Sequence, residues 1–206
     1  MKFQIPNSKF QIFQKGFTLI ELLIVMAIFG LTVSLVTASF LTFDRNQKLA
    51  NAALTLKSDL RQVQNNALAG NKGAGGICPS TSTLGGWYLL ISTSAGNNGK
   101  YTIAGDCRTG GAESSFGAKT ILLPAGVTVT STSLGAVSSV AIFSQPIAAG
   151  VTYHNGSLVP PFFDASGNLA SQMGAGSVLT ITLTSTSGGT YQVVIAPSGE
   201  INEVKP

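Results

Sequence analysis

From Leu22 through Phe43 the chain runs for 22 residues without a charged side chain, bounded by Glu21 and Asp44. As a helix rising 1.5 Å per residue this stretch is about 33 Å long, enough to cross the hydrocarbon core of a bilayer. Beyond it the pattern changes. Leu49, Ala53, Leu56, Leu60, Val63 and Ala67 recur in steps of four and three, the spacing of one helix face, while Asp44, Arg45, Lys48, Lys57, Asp59 and Arg61 take the other positions. The two patterns join without a breaker and predict one helix from Phe17 to Ala69, ended by the glycine cluster Gly70-Asn71-Lys72-Gly73-Ala74-Gly75-Gly76. The outer half also has coiled-coil spacing. It lasts only a few turns, which favours packing against a sheet.

After Gly76 the chain turns to Gly, Ser, Thr and β-branched residues in short blocks. Strands are predicted at Trp87–Thr93, Lys100–Ala104, Thr120–Leu123, Val127–Thr130, Val137–Phe143, Val178–Leu183 and Tyr191–Ala196. Asn97-Asn98-Gly99 and Ser187-Gly188-Gly189 have the composition of hairpin turns. One long helix followed by a strand-rich region is an α+β arrangement, with segments at residues 1–16, 17–43, 44–70 and 71–206.

Charge alters this picture only at the N-terminus. The chain has 12 basic and 8 acidic side chains, but Lys2, Lys9 and Lys15 precede Phe17. Without them nine basic side chains face eight acidic ones, and the excess falls from +4 to +1. The positive residues before the apolar run and Asp44 after it place the N-terminus in the cytoplasm and the remainder outside. A secretory signal has its apolar stretch before the cut and is shorter; no small-residue site closes this one. The two cysteines, Cys78 and Cys107, both lie in the exported part, where an oxidising compartment favours one disulfide; two separate buried thiols are the alternative.

Gly16-Phe17-Thr18-Leu19-Ile20-Glu21, followed by Leu22-Leu23-Ile24-Val25-Met26-Ala27-Ile28, resembles the class III signal of type IV pilins and type II secretion pseudopilins. The resemblance implies that a membrane aspartyl protease, the prepilin peptidase, cuts between Gly16 and Phe17 and methylates the new amino group of Phe17. It also implies that Glu21 pairs with the N-terminus of an adjacent subunit as helices bundle into a filament on an inner-membrane assembly platform. An ionisable residue at the edge of an apolar helix costs a few kcal/mol and calls for a partner. A position at the headgroup boundary, served by water or lipid, is the plainer account of Glu21. Farther on, Gly76-Ile77-Cys78-Pro79-Ser80, Gly86-Trp87-Tyr88, Ile142-Phe143 and the closing Tyr191 to Ile201 are similar to minor pilins of the FimT and GspH type, whose β-rich heads end in a strand, a Ser/Gly turn and a final strand. The leader here is longer than is common in the main pilin subclass, and Glu200 stands where that family often has a basic residue.

Other signals point to no chemistry. His154 is the single histidine and has no nucleophile or orienting acid near it in sequence. Gly96-Asn97-Asn98-Gly99-Lys100 lacks the first glycine and the Ser/Thr of a phosphate loop. The Asp164-Ala165-Ser166-Gly167-Asn168 segment lacks the later glutamate of a calcium loop and has turn chemistry. Asn155-Gly156-Ser157 fits a glycosylation sequon, a pattern frequent by chance. No enzyme, cofactor or metal site is expected. The function expected is that of a single-pass structural subunit of a pilus or secretion pseudopilus. The alternatives are a DNA-binding minor pilin for natural transformation and a membrane-anchored adhesion domain. Nucleic acid is disfavoured because Glu200 to Pro206 holds two acids and one base.

Overall fold

The computed structural model describes residues 16–73, 78–79, 81–110, 112–135, 138–144, 151–155, 177–186 and 188–206. Leader residues 1–15, the Asp164 segment, Gly156 and Ser157 of the sequon and the side chain of His154 lie outside that description. The chain has two compact units, Met1–Leu41 and Thr42–Pro206.

Helix α1 spans Leu19–Leu68. Its end is a Schellman cap: Gly70, at φ 62°, donates to the Ala67 carbonyl at 3.2 Å, and Asn71 donates to the Asn66 carbonyl at 2.9 Å. A glycine at that site takes the left-handed conformation without a Cβ clash. Within the second unit Leu49, Ala53, Leu56, Leu60, Val63 and Ala67 are buried, as their spacing predicts, and Ala52 joins them.

The strands are β1 (Thr83–Ser92), β2 (Lys100–Thr109), β3 (Ala112–Leu122), β4 (Val127–Thr132), β5 (Ser138–Ser144), β6 (Val151–Asn155), β7 (Leu179–Ser185), β8 (Thr190–Ile195) and β9 (Ile201–Val204). They form two antiparallel sheets, ordered β3-β2-β1-β5-β6 and β4-β7-β8-β9. Period-two burial is cleanest in β7, where Leu179, Ile181 and Leu183 alternate with partly exposed threonines. Both sheets and the buried helix face share one apolar cluster, which includes Leu89, Phe143, Leu183 and Ile195.

Two strands extend well past their predicted limits. β2 continues through Gly105-Asp106-Cys107-Arg108-Thr109, and β3 begins eight residues before Thr120, at Ala112. Glycine and charge make these stretches read as loop, but cross-strand pairing decides the outcome. Gly105 is needed there because the Phe116 ring lies over it; a Cβ at that position would stand 2.1 Å from the ring. Trp87 meets Phe116 edge to face, with centroids 5.3 Å apart. β6 and β9 are too short to stand out by periodicity alone.

Two charges assigned by pattern to the open helix face are instead used in packing. Asp59 accepts a hydrogen bond from the hydroxyl of Tyr101, which is 2% exposed, and Lys57 pairs with Glu203 of β9. Gln64 Nε2 adds a bond to the Gly199 carbonyl at 3.1 Å. These contacts tie the helix to both sheets. Burial and the Asp59 carboxylate together hold the Tyr101 proton far above the ordinary tyrosine range. Tyr101→Phe removes this donor from a partly buried carboxylate and is expected to cost about 1.5–3 kcal/mol. Urea unfolding of the detergent-solubilised chain measures the loss, and an unchanged midpoint would show that water replaces the hydroxyl.

Candidate functional site

The residues singled out at the N-terminus fall at the start of α1. Gly16 and Phe17 precede the helix, and Phe17 is 80% exposed. Thr18 is the N-cap, with Glu21 three residues on: Glu21 N–H donates to Thr18 Oγ1 at 3.3 Å, while Thr18 N–H and Oγ1–H donate to Glu21 Oε2 at 3.4 and 3.3 Å. This is a capping box, written in the sequence as Thr-Leu-Ile-Glu, and pattern reading passed over it. It gives Glu21 an intramolecular partner. All three contacts are long for such bonds, so the carboxylate is loosely held and stays open to a stronger cation.

From Phe17 to Phe43 the large apolar side chains are exposed, among them Leu22, Ile24, Met26, Phe29, Leu35 and Phe40. The most apolar window of the helix has a mean hydropathy of 2.6 and buries none of its residues within the chain. Its hydroxyls do not call for water. Thr32 bonds back to Ile28 and Phe29, Ser34 to Leu31, Thr37 to Val33 and Ser39 to Leu35, each to a carbonyl one turn earlier. Such back-bonding lets hydroxyl residues sit in hydrocarbon without an unsatisfied donor. Just past the run, Lys48 and Asp44 pair at 2.6 Å.

The structure joins Cys78 to Cys107, with Cα atoms 5.7 Å apart, and both are buried. The bond ties the segment after the helix to β2. Lys72 Nζ, donating to the Ser82 carbonyl at 2.6 Å, and Trp87 Nε1, donating to the Asn71 carbonyl at 2.8 Å, hold the same connection. The disulfide therefore belongs to the head and lies apart in sequence from the Gly16–Glu21 group.

One buried group went unnoticed in the sequence. Asp106 on β2 is fully buried, and neither carboxylate oxygen has a hydrogen-bond partner. Burial, then the nearby Glu113 carboxylate, pushes its carboxyl up to about 7; Arg108 and the Cys107 N–H, close to the carboxylate but too poorly aligned for a full hydrogen bond, only partly offset this. No periodicity or motif marks such a residue; the groups acting on it, Glu113 among them, reach it through the pairing of β2 with β3.

Residues 13–37 match the family described as the prokaryotic N-terminal methylation motif. The match covers Gly16, Phe17, Thr18, Glu21 and most of the exposed apolar stretch. No curated protein and no solved structure matches the chain.

Proposed function

We propose, from the premise that a prokaryotic N-terminal methylation motif on a long apolar helix marks a type IV pilin-like or pseudopilin-like processed subunit, that this chain is a minor subunit of a type IV pilus or type II secretion pseudopilus. Prepilin peptidase cuts between Gly16 and Phe17 and methylates the Phe17 amine. The helix anchors the chain in the inner membrane with its N-terminus in the cytoplasm, and assembly with other pilins transfers it into a filament. Glu21 pairs there with the amino group of a neighbour. The two-sheet head is the exported part, and the Cys78, Gly86-Trp87-Tyr88 and Tyr191–Ile201 segments resemble heads of the FimT and GspH type.

The observation that carries this reading is the motif at residues 13–37 continuing into an apolar helix whose side chains are exposed among the described residues. An anchor alone would need the apolar stretch. It would not need Gly16-Phe17 before the helix or a carboxylate in its first turn.

Intact-mass analysis of protein extracted from the membrane of the native host tests it. The expected species is sixteen residues shorter than the 206-residue chain and begins at N-methylated Phe17. A soluble product beginning beyond Phe43 would mean that the apolar run is a secretory signal.

A further inference from the structure

Where β2 and β3 pair, two carboxyl groups come close together, those of Asp106 and Glu113. Asp106 is paired in register with Ser115 on β3 and Gly86 on β1, while Arg108 is paired with Glu113. Asp106 is wholly inaccessible, and the Glu113 side chain is 4% exposed. The guanidinium favours the second acid, with Arg108 Nε 3.8 Å from Glu113 Oε1. Tyr88 on β1 is the remaining titratable side chain facing Asp106 among the described residues, and its hydroxyl donates to Ser115 Oγ at 2.9 Å. Both buried acids thus lie near the Arg108 guanidinium, and Asp106 makes no well-formed hydrogen bond through either oxygen, the Cys107 N–H giving only partial support.

A carboxylate without a partner in a buried site is costly, and a group in that position takes up a proton instead. A second carboxylate nearby adds to the cost because like charges in a low-dielectric site cannot both ionise cheaply. Relief comes from exposing the pair to water. The hairpin can do so locally, because β3 is the outermost strand of its sheet. Most of its residues are exposed, and Phe116 anchors it at mid-length. On the other side β2 is pinned by Cys107, next to Asp106 and bonded to Cys78. The part able to lift is therefore the first half of β3, residues 112–115.

We propose that Asp106 and Glu113 form a proton-controlled latch: with one proton on the pair the first half of β3 is fastened to the sheet, and double ionisation releases it. The direction follows from linkage. Asp106 in the closed hairpin holds its proton up to about 7, against the ordinary aspartate range when open. Its stabilising contribution is therefore fully present below the open-state value and is lost as pH rises through the closed-state one. One proton gives at most a tenfold change in the opening equilibrium per pH unit in that window.

Hydrogen exchange of the detergent-solubilised full chain, followed by mass spectrometry on a peptide covering residues 108–116, reads the latch. Comparing wild type with Asp106→Asn at each pH cancels the intrinsic pH dependence of exchange. The ratio of wild-type to variant rate is expected to stay level below about pH 4, to rise by up to tenfold per unit between about pH 4 and 7, and then to level off. A peptide from β7 should show a constant ratio. A ratio on 108–116 that is flat across the range overturns the proposal. If Asp106→Asn does not fold, titration of the Asp106 carboxyl carbon by NMR decides in wild type and in Glu113→Gln. A midpoint near neutrality that falls in Glu113→Gln supports the latch, and a wild-type midpoint in the ordinary aspartate range sinks it.

Discussion

Glu21→Gln is expected to leave the protein in the membrane, cut after Gly16, and all but excluded from the filament. The substitution keeps length and polarity and removes the charge alone. Glutamine also serves at the third position of a capping box, so the Thr18 N-cap and the start of α1 should survive. Insertion becomes no harder, because a neutral amide is cheaper in hydrocarbon than a carboxylate. What is lost is the counter-charge to an α-amino group drawn into the low-dielectric centre of a helix bundle. Leaving one member of a buried pair uncompensated costs about 3–5 kcal/mol, or more than a hundredfold in the incorporation equilibrium. Cross-linking to neighbouring pilins in the native host, at matched membrane levels of the two proteins, measures it. Unchanged incorporation would reduce Glu21 to a helix cap. A subunit at the filament tip has no neighbour ahead of it, so cross-links to subunits behind are the ones to compare.

Removing the disulfide should have the next largest effect. The Cys78–Cys107 bond closes a loop across 29 positions, for which chain entropy predicts about 3–4 kcal/mol of stabilisation. That is a large fraction of the roughly 5–15 kcal/mol by which folded domains exceed their unfolded states. The double variant Cys78→Ala/Cys107→Ala removes the crosslink and leaves two small apolar side chains in buried sites. Chemical denaturation of the full chain in detergent, without reductant, should show a lower midpoint than wild type, and reduced wild type should approach the variant. Equal midpoints in all three samples would mean that the residues around Lys72, Ser82 and Trp87 hold the connection without the crosslink.

The long helix was legible because its information is local and repeated. Twenty-two uncharged residues and a six-position apolar face need no knowledge of what they pack against, and Gly70 marks the end by chemistry of its own. The candidate processing site was legible for a related reason. In the proposed processing a peptidase would meet Gly16 and Phe17 outside the helix, so the signal is a linear string of residues. The capping role of Thr18 was equally local and could have been read from the Thr-x-x-Glu spacing. The predicted strands with alternating β-branched residues, such as Val178–Leu183, came within two residues of their observed ends.

The sequence alone therefore determined the apolar helix, its polar continuation, the β-rich character of the rest and the residues 16–21 on which the proposed function rests. Tertiary structure alone decided which charged groups are buried and which strands neighbour one another. Asp59 and Lys57 sit among helix positions that look solvated, yet Tyr101 and Glu203, 42 and 146 positions away, draw them into the packing. Asp106 looks like a loop residue between a glycine and a cysteine, yet it lies in β2 between β1 and β3 and is fully buried. The physical reason is range. Helix periodicity and capping depend on neighbours within one turn, whereas sheet order and the solvation of a carboxylate depend on chain segments that only folding brings together.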